Sequence, residues 1–199
     1  MVAALFVEAG GAYFGLPDVD PWDEARDART YAGPHPVVAH PPCQLWVNFA
    51  ALNFKRYGGE HNRPGNDGGC FAAALASVNR WGGVLEHPAN SNAWAAHGLI
   101  APRGRGWQSC GAGRWVAEVW QSAYGHKARK RTWLYAVTPC PPPLDVRALA
   151  GTAQIGWQFV GPACRGEKAR KRPLGKREAK ATPPAFRDLL ISIARTARP

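Results

Sequence analysis

Pro36-Val37-Val38-Ala39-His40-Pro41-Pro42-Cys43-Gln44 is a short β-branched run that stops at two prolines. Such a run has the composition of a buried strand, and open α/β folds keep their ligand sites where strands end at the carboxyl edge of the sheet. Cys43 therefore stands at the expected site. The prolines disfavour the α conformation in the residues before them and fix φ, so the backbone carrying Cys43 is stiff, as the support of a nucleophile should be. The plainer reading is a small buried hydrophobe, since free cysteine is among the most buried residue types.

A second stretch repeats the pattern. Gly82-Gly83-Val84-Leu85 reads as a strand, and it ends in Glu86-His87-Pro88, a carboxylate just before a proline. Between the two strands, Cys70 to Trp81 has helical periodicity with Phe71, Ala74, Leu75 and Val78 on one stripe. Two parallel strands joined through a helix point Cys43 and Glu86 into one crevice. A carboxyl group that reaches the ring nitrogen and amino group of a pyrimidine holds it for thiolate attack at carbon 6, and that addition makes carbon 5 nucleophilic.

Upstream, residues 2–7 are apolar and run into Glu8-Ala9-Gly10-Gly11, a strand, an acidic residue and a glycine turn. Glycines at such a place let the backbone approach a ligand, and the acidic side chain can accept hydrogen bonds from a ribose or an amino group; an ordinary turn has the same look. Tyr13 to Pro17 is too short for a long crossover helix. Trp22 beside Asp20, Asp23 and Glu24 has the make-up to sandwich an adenine while a carboxylate holds the sugar, or to sit half-buried in a loop. Gln44 to Phe49 continues past Cys43 without a turn signal, and Lys55 through Gly69 reads as a polar, glycine-rich loop able to close over a base or track a phosphate backbone.

Downstream, residues 90–117 carry no clear pattern. Lys127-Ala128-Arg129-Lys130-Arg131 is a cationic loop feeding the β-rich run Thr132 to Val137, either a phosphate grip or a solvated charged face. Pro139 to Pro143 marks a boundary. Beyond it, residues 154–160 read as one strand, followed by a basic segment from Arg165 to Lys180 that includes Lys168, Arg170, Lys171 and Arg172. Thr182 as N-cap, prolines in the first turn and the stripe Phe186, Leu189, Leu190, Ile193 predict a closing helix packed back on the core. The organisation expected is a catalytic core over 1–138, a small basic annex over 139–180 and a C-terminal helix over 181–199.

The charge is uneven. The net charge is +11, with 6 Lys+Arg against 9 Asp+Glu in residues 1–100 and 19 against 5 in residues 101–199. A nearly neutral first half and a strongly basic second half suit an enzyme that grips nucleic acid with one flank. Five cysteines without framework spacing argue against a disulfide scaffold and for a reducing compartment, and their spacing with His126 supports no zinc site. No run approaches a membrane span, and the opening residues lack a signal-peptide pattern. A cytoplasmic monomer is expected, in a bacterial host cell if the compact, tryptophan-rich chain is phage-encoded.

Taken in order, these stretches resemble the cytosine-5 DNA methyltransferase family. Leu5 to Gly11 is similar to its opening S-adenosylmethionine motif, Pro41-Pro42-Cys43-Gln44 to its catalytic cysteine loop, and Glu86-His87-Pro88 to its glutamate motif, with His87 where the family usually has Asn. Gln121 and the run Tyr124 to Tyr135 resemble the arginine-rich motif and its strand, with Arg129 and Arg131 nearest the family's arginines, and Ala181 to Phe186 resembles the closing motif. The resemblance implies a Rossmann-like α/β methyltransferase fold with a mainly parallel sheet. It also implies a flipped cytosine in DNA, covalent attack by Cys43, ring stabilisation by Glu86 with Arg129 and Arg131, and methyl transfer from S-adenosylmethionine to carbon 5. By the same likeness Phe6, Glu8, Gly10, Gly11, Asp20, Trp22, Asp27 and Pro41 line the cofactor site, while Gln44, Lys127, Lys130 and the 168–172 cations contact DNA. Between Gly11 and Cys43 the chain is shorter than family members usually are. Two alternatives therefore stay open: a pyrimidine carbon-5 enzyme using another one-carbon donor or free nucleotides, and a DNA-binding relative without catalysis.

Overall fold

The computed structural model describes residues 1–47, 49–145 and 176–197. Seven strands form one sheet: β1 (Val2–Leu5), β2 (Val19–Trp22), β3 (Val37–Ala39), β4 (Gly83–Pro88), β5 (Gln108–Gly111), β6 (Arg114–Trp120) and β7 (Arg131–Val137). Their spatial order is β2-β1-β3-β4-β7-β6-β5. The first four run parallel, and β7, β6 and β5 follow as an antiparallel meander.

This corrects the expected mainly parallel, Rossmann-like sheet with flanking helices. The sheet is curled and mixed, a half-barrel with few helices, and most of its paired residues lie in antiparallel ladders. Two local causes are visible. No α-helix forms among residues 6–36, so β1, β2 and β3 are joined by loops and one short 3₁₀ turn at Ala28–Thr30. The end of the unpatterned 90–117 stretch and the three residues after it form a hairpin of β5 and β6, whose two-residue loop, Ala112-Gly113, has φ of 46° and 70°. Positive φ at both loop positions is the backbone that lets antiparallel strands turn tightly with their natural twist.

Strand alternation divides the core. Ala3, Leu5, Val37, Ala39, Leu85, Trp133 and Tyr135 face helix α2 (Cys70–Trp81), whose Phe71, Ala74 and Val78 are buried against them. Val2, Ala4, Val38, Val84, Leu134 and Ala136 face a C-terminal helix at Pro184–Thr196 with Phe186, Leu190, Ile193 and Ala194 inward. The C-terminal helix is therefore where its stripe placed it, but its cap is Pro183, with Thr182 one residue outside. In chain order the helices are α1 (Phe49–Tyr57), α2, α3 (Asn92–Ala96), α4 (Lys176–Lys180) and α5 (Pro184–Thr196). α1 occupies part of what reads as loop in sequence, because its outward face has little apolar periodicity: Phe49, Leu52 and Tyr57 are all exposed. The strand expected over 154–160, most of the basic annex and the residues Lys168, Arg170, Lys171 and Arg172 lie outside the described residues. Among the described residues no helix is long and apolar enough to cross a membrane.

Candidate active site

Register brings the two marked residues together. In the parallel β3–β4 pair Ala39 lies opposite Leu85, so His40 and Glu86 follow side by side on the face that α5 covers. The parity is that of Val38 and Val84, which point to the same face. The His40 amide donates to the Leu5 carbonyl at 3.0 Å, extending the β1–β3 ladder to the edge of the site. Past the prolines, the loop carrying Cys43 is pinned by Trp46. Its amide donates to the Cys43 carbonyl at 3.0 Å, and its indole N–H donates to Asp67 at 2.8 Å. Asp67 also accepts from the amides of Gly69 and Phe71 at the start of α2, so the cysteine loop and the helix share one anchor.

A cavity of about 700 Å³ opens at the carboxyl ends of β1, β3 and β4. Its walls include Cys43, Glu86, His40, Tyr13, Lys130, Lys180, Pro41 and Gln44. This volume falls in the range that takes a small organic ligand or one nucleotide. Glu86 is almost fully buried, reaches the cavity wall and has one partner on each carboxyl oxygen. His40 Nδ1 meets one carboxyl oxygen at 2.9 Å, and the Gln121 amide donates to the other at 3.0 Å. Gln121 also donates to the Thr132 hydroxyl at 2.9 Å, and the Tyr13 hydroxyl meets His40 Nε2 at 2.7 Å. Burial alone would raise the Glu86 pKa, but the His40 hydrogen bond and the charges of Lys130, His40 and His87 outweigh it and hold it at about 2. Glu86 is therefore a carboxylate at neutral pH.

The Cys43 thiol behaves oppositely. Burial, and then the Glu86 charge, push its pKa up, and Lys130 opposes them. At rest it is a thiol beside a carboxylate.

A second cavity of about 750 Å³ shares Phe6, Val7, Glu8, Pro42 and Gln44 with the first and adds Asp23, Glu24, Asp27, Arg29 and Cys70. Of the shared residues, Phe6 has a φ of 59°, unusual for a bulky residue. A strained backbone persists only where its surroundings over-determine it, and such positions cluster at ligand sites.

Of the residues singled out by sequence, Cys43, Glu86, Pro41 and Lys130 line the first cavity alone, Phe6, Glu8 and Gln44 line both, and Asp27 lines the second, with both its oxygens held by Arg29. Gly10, Gly11, Asp20 and Trp22 line neither. Gly11 closes a turn onto the Glu8 carbonyl, and Asp20 is bound to Arg26, whose guanidinium lies 4.1 Å from the Trp22 ring. Arg129 and Arg131 are likewise committed elsewhere. Arg129 stacks on Trp120 at 4.7 Å, and Arg131 pairs with Glu118 at 2.7 Å, which leaves Lys130 as the cation of that loop at the cavity. Lys127 bridges to Glu178 of α4 at 2.8 Å. His40 and Tyr13 carry no role in the sequence reading. The adjacency of His40 to the cysteine loop was a usable signal; Tyr13, in an irregular segment, offered none.

No protein-family model matches the chain, and a search of curated proteins finds no relative.

Proposed function

We propose that the chain modifies carbon 5 of a pyrimidine, with cytosine in DNA as substrate and S-adenosylmethionine as methyl donor, acting in the cytoplasm as a monomer. The observation that carries this reading is one cavity lined by a half-buried thiol and an ionised, hydrogen-bonded carboxylate delivered by adjacent parallel strands. Cys43 is the nucleophile toward carbon 6, once its proton has left. Glu86 holds the ring nitrogen and exocyclic amine, kept in place by His40 and Gln121. Lys130 and Lys180 line the same cavity and offer positive charge to the carbonyl oxygen and phosphate of an entering nucleotide.

The second cavity supports a cationic donor. Asp23 and Glu24 supply acceptors for hydroxyl and amino groups and a negative field, Asp27 being held through both oxygens by Arg29, and the lining shared with the first cavity would set donor and base side by side. Residues there fit S-adenosylmethionine, which when bound supplies the methyl group for carbon 5. Trp22 and Asp20 do not belong to this reading, being held by Arg26. Support for DNA as partner comes from the basic second half and from α1, which follows the cysteine loop and exposes Phe49, Leu52 and Tyr57 beside Lys55 and Arg56.

The test is trapping on a 5-fluorocytosine oligonucleotide with S-adenosylmethionine. Carbon 5 there carries fluorine in place of the hydrogen that must leave, so a methylated adduct stays bonded to the protein. A donor-dependent covalent band in the wild type, absent in Cys43→Ser with oligonucleotide affinity retained, is the expected result. A band that survives Cys43→Ser removes Cys43 as nucleophile, and no band with either protein removes the reading.

A further inference from the structure

We propose that Tyr13 and His40 form a proton relay behind Glu86, in which His40 supplies through Glu86 the proton that the ring nitrogen of the base takes up when Cys43 adds to carbon 6. The inference rests on the function proposed above and deepens it. Its ground is a continuous chain of short contacts, Tyr13 Oη to His40 Nε2 at 2.7 Å and His40 Nδ1 to Glu86 at 2.9 Å, ending in the cavity that Cys43 lines.

The chemistry requires such a source. An ionised carboxylate only accepts hydrogen bonds, so Nδ1 facing it carries a proton. Glu86, held at about 2, has none of its own to give. Tyr13 closes the far end: burial pushes its hydroxyl well above the ordinary tyrosine range, so it stays protonated. A neutral hydroxyl accepts from Nε2–H when the imidazole is charged or has given up its Nδ1 proton, and donates to Nε2 when the neutral ring carries its proton on Nδ1, so every state of His40 remains bonded to Tyr13. Lys130 acts on Glu86 from the cavity and His87 from the other face of β4, Arg187 and Asp188 of α5 act on Tyr13, and Glu8 and Lys180 share the cavity wall.

The step balances. The Cys43 S–H proton leaves to water, the S–C6 bond forms and the C5–C6 π bond breaks. The displaced pair reaches the ring nitrogen, which takes a proton from Glu86 as Glu86 receives the Nδ1 proton of the His40 imidazolium. Glu86 ends as it began and His40 ends neutral. When the C5–H proton later leaves to water, the C5–C6 π bond reforms, the thiolate is expelled and the nitrogen's proton returns through Glu86 to His40. His40 is thus a positioning residue that acts through Glu86.

The test measures adduct formation at saturating oligonucleotide and donor from about pH 6 to about pH 10 in the wild type, His40→Asn and Tyr13→Phe. In the wild type the rate rises as Cys43 deprotonates. His40→Asn should lower the maximal rate roughly 10²-fold and leave half-saturation by oligonucleotide unchanged. Tyr13→Phe should give a smaller loss of rate. Nitrogen NMR of the wild-type ring checks the relay without chemistry, with Nδ1 protonated when the ring is neutral. A neutral ring protonated on Nε2, or a His40→Asn maximal rate equal to that of the wild type, overturns the relay. A wild type that forms no adduct fails the parent reading and the relay with it, whereas a normal wild-type adduct with an unchanged His40→Asn fails the relay alone.

Discussion

At the scale of single residues, Glu86 and His87 are neighbours on β4 with opposite fates. Strand alternation sends Glu86 to the α5 face and its polar partners, and His87 to the α2 face, against the rings of Phe71 at 5.1 Å and Trp94 at 6.3 Å. Neither nitrogen of His87 makes a well-formed hydrogen bond among the described residues. Burial lowers its pKa to about 4, against the opposing pull of the Glu86 charge and the Pro42 carbonyl. The sign for stability follows. Between about pH 6.5 and about pH 4 the unfolded chain holds a proton on this histidine that the folded chain does not, so acidification destabilises the fold. Unfolding by urea should show a loss from this group on the order of 2 kcal/mol between pH 7 and pH 5, and His87→Asn should shrink the pH difference by that amount. An equal pH difference in both proteins would move the effect elsewhere, His126, also lowered by burial, being the other candidate. Glu86 acts in a separate window. Its lowered pKa adds stability that is full above the unfolded value of about 4.3 and is lost as pH falls toward about 2.

At the scale of elements, the β3–β4 pair that sets His40 beside Glu86 depends on Gly83. Its φ is 116°, and an added Cβ would drive into the carbonyl and amide of Val37 across the ladder. Backbone strain and overpacking then act together, so Gly83→Ala should cost about 3 kcal/mol. Gly10 is the control: its φ is 64° but an added Cβ meets nothing within 4 Å, so Gly10→Ala should cost only about 1 kcal/mol. Comparable losses for the two in denaturant titrations would contradict the close β3–β4 approach. Helices show the complementary lesson. α2 has an apolar stripe that matches its inward face and is legible over its full length, whereas α1 buries little beyond Ala50 and has no stripe to read.

Across the whole molecule, charge is separated. Residues 101–199 hold 19 of the 25 cations, and the sequence places many of them between Arg165 and Lys180. Salt-dependent DNA binding reports how many cations meet phosphates. Replacing Lys168, Arg170, Lys171 and Arg172 by alanine should reduce the slope of log affinity against log salt by up to about 3.6, at roughly 0.9 for each phosphate that is no longer neutralised. An unchanged slope would exclude that segment from the interface.

The sequence alone determined the strand that leads to Cys43 and the one that carries Glu86, though β4 runs on to Pro88 rather than stopping at Glu86, together with the α2 stripe, the closing helix and the charge asymmetry, because each is a local pattern of period, proline stop or composition. Tertiary structure decided the rest. Whether the sheet is parallel or mixed depends on which edge of β4 receives β7, a pairing between residues far apart in the chain that no local period encodes. Which cation of residues 127–131 reaches the cavity depends on Trp120 and Glu118, partners supplied by β6 that draw Arg129 and Arg131 away and leave Lys130. The Tyr13–His40–Glu86 chain joins three segments through the parallel register and the loop after β1, and its short contacts exist only once the sheet has closed.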